Sequence, residues 1–191
     1  MSIEKQKVVA DYVLGKFESI DPTCIIAGGA PRDWYFGKEA SDIDLFFYFR
    51  PDLQMSHIMD ALERVGMMEY FLQEKSGESI PEHYKRNPYL SRVFEFHVEG
   101  VKVQAMQMLE PTFKSCVGLF PLSICKAWYK NGKISTSKDF DLSMKINSIY
   151  ITNKLYNDAD SYLQKIKGKF PDYKWFNSKA EALVSFVEGM T

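Results

Sequence analysis

Apolar positions along the chain switch between helical and strand spacing. In "EKQKVVADYVLGKF", Val8, Val9, Tyr12, Val13 and Phe17 recur near the helical period, which predicts an N-terminal amphipathic helix. "TCIIAGG" is a short apolar run closed by glycines and reads as a buried strand. "APRDWYFG" reads as a turn into a short helix stopped at Gly37. "DIDLFFYF" is aromatic-rich, too short for a typical helix, and bounded by Ser41 and Arg50-Pro51, so it is assigned to a strand. "MSHIMDALERVG" returns to helical spacing, with Ser56 as its N-cap and Gly66 as its stop. "MMEYFLQ" is read as a strand.

Residues 74–90, "EKSGESIPEHYKRNPYL", are polar and carry two prolines. A loop this long inside a compact domain is often functional. "RVFEFHV" and "VKVQAMQM" flank Glu99-Gly100 and predict a hairpin with a two-residue turn. A second strand pair is expected to turn at Asn131-Gly132, and from about Asp139 the pattern reads as helical to the end, broken at Gly168 and Pro171. The order of elements gives an α+β fold with a mixed sheet and a helical C-terminal tail.

Composition narrows the class. The 191 residues are 46% hydrophobic and 15% aromatic, which suits a folded core and not a disordered chain. No apolar run is long enough to span a bilayer, and "MSIEKQKVVADYV" is charged from its start, so the cytoplasm is the expected compartment. Cys24, Cys116 and Cys125 sit among apolar neighbours and read as core thiols. The net charge of −1 argues against a broadly basic coat for nucleic acid. Its distribution is uneven. Residues 1–109 carry 12 Lys+Arg against 17 Asp+Glu, whereas residues 110–191 carry 12 against 8. A basic C-terminal part suits phosphate, although lysine-rich surface helices are common.

The chemistry concentrates between Gly28 and Asp44. Side chains alternate along a strand, so Asp42 and Asp44 share one face, opposite Ile43, Leu45 and Phe47. Two carboxylates so placed must be solvated, paired or metal-bound, and Mg²⁺ commonly takes one or two carboxylates together with substrate phosphates. Gly28-Gly29 lets backbone N–H groups approach a phosphate closely, and Arg32 could clamp a phosphate oxygen. Taken singly, each residue has a plainer reading: the glycines as a turn, and Asp33 and Asp44 as partners of Arg32 or Arg50.

Together, Gly28, Gly29, Arg32, Asp33, Asp42 and Asp44 in "GGAPRDWYFGKEASDIDLFFYF" resemble the head domain of template-independent nucleotidyltransferases. The nearest likeness is to bacterial poly(A) polymerases and tRNA CCA-adding enzymes of the DNA polymerase beta-like superfamily. It covers roughly residues 23–109. The resemblance implies a small mixed β-sheet nucleotidyltransferase fold flanked by helices, assigned to residues 1–135; residues 136–191, which the resemblance does not reach, are assigned to a helical C-terminal extension on their apolar pattern. The resemblance also implies an NTP, ATP foremost, and Mg²⁺ held by Asp42 and Asp44. Gly28, Gly29 and Arg32 would hold the triphosphate, and Asp33 would orient Arg32. The acceptor hydroxyl would belong to an RNA 3′ end, with a small molecule or a protein side chain left open.

Two departures from that family stand out. Its third carboxylate is expected on "VKVQAMQM", where Gln104 stands. Glu95 and Glu99 are the alternatives; Glu99 reads as exposed and Glu95, between Phe94 and Phe96, as outward-facing. Secondly, about 80 residues after the hairpin cannot hold the family's base-selecting and tRNA-holding apparatus. A nucleotidyltransferase-like domain that binds nucleotide or a partner without efficient transfer is therefore the alternative reading. His57, His83 and His97 show no zinc spacing. Trp34, Tyr35 and Phe36, and the set Tyr150, Tyr156, Tyr162, Phe170, Tyr173, Trp175 and Phe176, are read as core-facing more than base-stacking.

Overall fold

The computed structural model describes residues 1–50, 52–80, 82–110, 113–153 and 161–190, with backbone only at 82–83 and 113–115. The His83 side chain and Tyr156 lie outside the described residues. Helix α1 spans Ile3–Phe17 and is capped by Ser2, whose side chain accepts from the Lys5 amide. Strand β1 (Ile25–Ala27) leads through Gly28 into α2 (Gly29–Tyr35), and β2 (Ile43–Tyr48) returns beside β1. Helix α3 spans Met55–Arg64, with Gln54 and not Ser56 at its N-cap. "MMEYFLQ" splits into a 3-10 turn at Met68–Tyr70 and the start of β3 (Phe71–Ser76). A short helix α4 (Glu82–Lys85) stands inside the polar segment and precedes β4 (Leu90–Val98) and β5 (Val101–Met108). Then come α5 (Phe113–Gly118), β6 (Ala127–Lys130) and β7 (Lys133–Thr136).

Both hairpins turn where the sequence places them. Glu99 and Gly100 have φ of 50° and 82°, and Asn131 and Gly132 have 53° and 72°. Two successive positive φ values are what a two-residue type I′ turn requires. The C-terminal part is not wholly helical. It runs α6 (Lys138–Ile146), β8 (Ser148–Tyr150), α7 (Ser161–Lys169), β9 (Lys174–Phe176) and α8 (Lys179–Glu188), and β8 pairs with β9 in parallel. Asn147 ends α6 in the left-handed region, φ 47°, which frees "SIY" to extend; that run is completely buried, so helical periodicity could not identify it.

The main sheet has the order β3-β4-β5-β2-β1-β6-β7. Every neighbouring pair is antiparallel except β2 and β5. One face carries Ile26, Ile43, Leu45, Phe47, Phe94, Phe96 and Val103 and packs on Val9, Val13, Leu14 and Phe17 of α1 and Ile58 and Leu62 of α3. The other face carries Ile25, Ala27, Phe46, Val93, Met106 and Met108, with Cys116 and Val117 against them. A further cluster joins Leu122, Ile124, Cys125 and Ala127 to Phe140, Ile149, Leu163 and Phe170, so apolar packing runs across residue 135. Cys24, Cys116 and Cys125 are free and buried.

Candidate active site

Asp42 and Asp44 stand on the second face of the sheet, at its middle. Asp44 is in β2 and Asp42 just precedes it, where the Ser41 hydroxyl donates to Asp42 Oδ1 at 2.8 Å. Across the junction from β1 to α2, Gly28 has φ 84°, a conformation that favours glycine. Its N–H is already committed to the Ala127 carbonyl at 2.9 Å. The amides of Gly29 and Ala30, in the first turn of α2, have no carbonyl one turn back within the helix. Gly29 has no positive φ, and a β-carbon there would meet only Arg32 Nη2, at 3.9 Å. Conformation therefore requires glycine at 28 but not at 29.

Gly28, Gly29, Arg32, Asp33, Asp42 and Asp44 all line one cleft of about 500 Å³. Arg32 is buried along its wall. Its Nε donates to Asp33 Oδ1 at 2.7 Å, Nη2 lies 2.7 Å from the same oxygen, and Nη1 donates to Cys125 Sγ at 3.2 Å. Asp33 Oδ2 is met by Lys169 at 2.8 Å. Arg50, the other candidate partner for the carboxylates, pairs with Asp52 instead.

The cleft's far wall was not legible from the motif. Helix α7 contributes Tyr162, Lys165, Ile166 and Lys169 to it. These fall at i, i+3, i+4 and i+7, one helical face, and that spacing is the signal available in the sequence. Tyr162 Oη lies 3.3 Å from Cys125 Sγ. Of the C-terminal aromatics, Tyr150 and Phe170 are buried core, as expected, while Tyr162 faces the cleft. Tyr84 of α4 is the second addition. Its hydroxyl lies 3.2 Å from Asp44 Oδ1 and 3.0 Å from Gln104 Oε1.

Strand pairing sets Asp44, Gln104, Glu95 and Gln73 side by side across β2, β5, β4 and β3, all on one face. Gln104 therefore stands next to Asp44, as its place on "VKVQAMQM" predicts. Glu95 does not face outward: it is 3% exposed and lies one strand beyond Gln104. The hydrophobic neighbours Phe94 and Phe96 point to the α1 face, which leaves Glu95 on the other, covered face. Gln104 Nε2 donates to Glu95 Oε1 at 2.7 Å, Lys75 and Lys102 lie 2.8 and 3.2 Å from that oxygen, and Gln73 bonds Oε2. Glu99 is exposed in its turn.

The two carboxylates have opposite electrostatics. Burial and the nearby charge of Asp42 push Asp44 up to about 7, although Tyr84 donates to it. Burial also opposes charge on Glu95, but hydrogen bonds from Lys75, Gln73, Gln104 and Lys102 outweigh it and hold Glu95 down to about 2. Burial and the charges of Asp44 and Asp42 raise the Tyr84 phenol well above its ordinary range.

Among the described residues, no group of three or more His, Cys, Asp or Glu is placed to share a metal. The Asp42–Asp44 pair nevertheless fits Mg²⁺. Its donors are all oxygen, the donor type that Mg²⁺ takes.

No family model matches the sequence, and no curated protein matches it. Solved structures do. The Thermotoga maritima CCA-adding enzyme complexed with tRNA superposes with a TM-score of 0.60 at 14% identity, covering 96% of this chain and 42% of that one. A CCA-adding enzyme complexed with CTP gives 0.60 at 16%, covering 96% and 43%. A tRNA nucleotidyltransferase complexed with a primer tRNA and an incoming ATP analog gives 0.51 at 15%, covering 86% and 46%. The chain thus has the nucleotidyltransferase fold and spans less than half the length of each of these proteins.

Proposed function

We propose that the protein binds an NTP with Mg²⁺ in this cleft and transfers a nucleoside monophosphate to an acceptor hydroxyl. The observation that carries the reading is the convergence of Gly28, Gly29, Arg32, Asp42 and Asp44 on one cleft within a nucleotidyltransferase fold. Asp42 and Asp44 would hold the metal, which when bound supplies positive charge to the phosphates and favours loss of the acceptor's proton. The first-turn amides of α2 and the cations Arg32, Lys165 and Lys169 offer positive potential to a triphosphate. Asp33 orients Arg32 through its buried ion pair.

Residues 1–135 would supply the catalytic groups, and residues 136–191 would close the cleft through α7. ATP is the favoured donor and an RNA 3′ end the favoured acceptor, because the structural neighbours were solved with CTP, an ATP analog and tRNA and because basic residues from the C-terminal part reach the cleft. No described helix is long and apolar enough to cross a membrane; a cytoplasmic site of action would suit a consumer of NTPs. Titrating ATP with and without Mg²⁺, then following pyrophosphate release with total RNA as acceptor, tests the proposal. Binding that ignores Mg²⁺ and the Asp42→Asn change would move the site elsewhere.

Gln104 favours a second reading, a domain that binds nucleotide and transfers slowly. An amide beside Asp44 brings neither charge nor a base, and Glu95, the carboxylate one strand beyond it, is tied up by two lysines. General-base assistance contributes about 10²–10⁴-fold, so binding with transfer slower by that order would support this reading.

A further inference from the structure

The structure brings the Tyr84 hydroxyl to Asp44. It comes from the polar segment between β3 and β4, and α4 turns it into the cleft, where Tyr84 forms part of the wall. It lies 3.2 Å from Asp44 Oδ1 and 3.0 Å from Gln104 Oε1. The single phenolic proton lies between two acceptors, Asp44 Oδ1 and the nearer Gln104 Oε1. A nucleotidyl acceptor needs a hydroxyl oxygen beside the metal-holding carboxylate and a group to take its proton. Tyr84 supplies the first without any other molecule, and solvent takes the proton.

We propose that Tyr84 is an acceptor in its own right, so that the protein nucleotidylates itself on the Tyr84 phenol. This rests on the NTP-binding reading above. Tyr84 Oη attacks the α-phosphorus of the bound NTP. The Oη–Pα bond forms, the bond from Pα to the bridging oxygen of the β-phosphate breaks, pyrophosphate leaves, and the phenolic proton is released to solvent. The product is a phosphodiester between Tyr84 and the nucleoside. The adduct fills the place from which an external hydroxyl would react, so modification would also limit transfer to other acceptors.

The test has a readout that needs no added substrate. The intact mass and peptide map of the full chain as isolated would show a nucleoside monophosphate on the peptide carrying Tyr84. In a second arm, wild type, Tyr84→Phe and Asp42→Asn are incubated with α-labelled ATP and Mg²⁺. Equilibrium dialysis measures ATP binding in parallel, and circular dichroism checks folding. The expected result is label on Tyr84 in wild type, and loss of label to background in Tyr84→Phe with ATP binding kept. Bound ATP with no label at Tyr84, as isolated or after incubation, overturns the inference and leaves the binding reading standing. Label that persists in Tyr84→Phe also overturns it. Absence of ATP binding removes both.

Discussion

Asp44 and Glu95 are carboxylates on the same sheet face, separated only by Gln104, yet they sit in opposite states. Glu95 is enclosed by Lys75, Lys102, Gln73 and Gln104 and is held down to about 2. Asp44 faces another carboxylate and a neutral phenol in a cleft, and is pushed up to about 7. Burial opposes charge in both places, so the neighbours decide. A carboxylate already matched by cations serves the architecture. One left facing its own sign is the one to which the proposed function assigns a metal ion.

The largest effect expected from breaking this contrast is on chemistry. Asp42→Asn or Asp44→Asn should reduce transfer to background while stability stays unchanged or rises, since one of two like charges is gone. Pyrophosphate release and thermal unfolding, measured on the same samples, check this; full activity in either variant would sink the metal assignment.

On the other side, Glu95→Ala should cost stability and leave ATP affinity nearly unchanged. It strands Gln104 and two lysines, but the lysine side chains are 23% and 44% exposed and can rehydrate. The cost should therefore stay below that of a fully buried pair, at about 1–3 kcal/mol, read from urea unfolding midpoints.

Exchanging the two positions sharpens the comparison. Gln104→Glu alone sets a second carboxylate against Glu95 in place of a 2.7 Å hydrogen bond. It should destabilise the protein by about 1–2 kcal/mol. Gln104→Glu combined with Glu95→Gln keeps the net charge and moves the carboxylate beside Asp44. Calorimetry should show tighter Mg²⁺ binding for the double variant than for wild type.

Acid provides a milder probe. Because Glu95 is held below its unfolded value of about 4.3, its network stabilises fully above that pH and is lost as pH falls through about 2. The stability difference between wild type and Glu95→Gln should therefore shrink across that window. A difference that stays flat from pH 5 to 2 would show that Lys75 and Lys102 do not hold the charge. The smallest contrast is between the glycines. Gly28→Ala should cost about 1 kcal/mol through its positive φ, whereas Gly29→Ala should be nearly neutral.

Much of this protein was written locally. The positive-φ turns at Glu99-Gly100 and Asn131-Gly132 follow from which residues tolerate that conformation. The order of strand, glycines, short helix and Asp42-x-Asp44 follows from apolar period and punctuation, and it placed six residues that the structure gathers in one cleft. What only the tertiary structure decided rests on contacts between segments far apart in sequence. The parallel pairing of β2 with β5 put Gln104 beside Asp44, and pairing of β4 with β5 and β3 enclosed Glu95, whose local alternation had suggested solvent. Packing brought Tyr84 and the Tyr162-to-Lys169 face of α7 to the cleft, and completed a parallel pair from β8 and β9 where a helix was expected. A strand's period states which residues share a face. Which face is covered, and by what, depends on partners that the local pattern does not name.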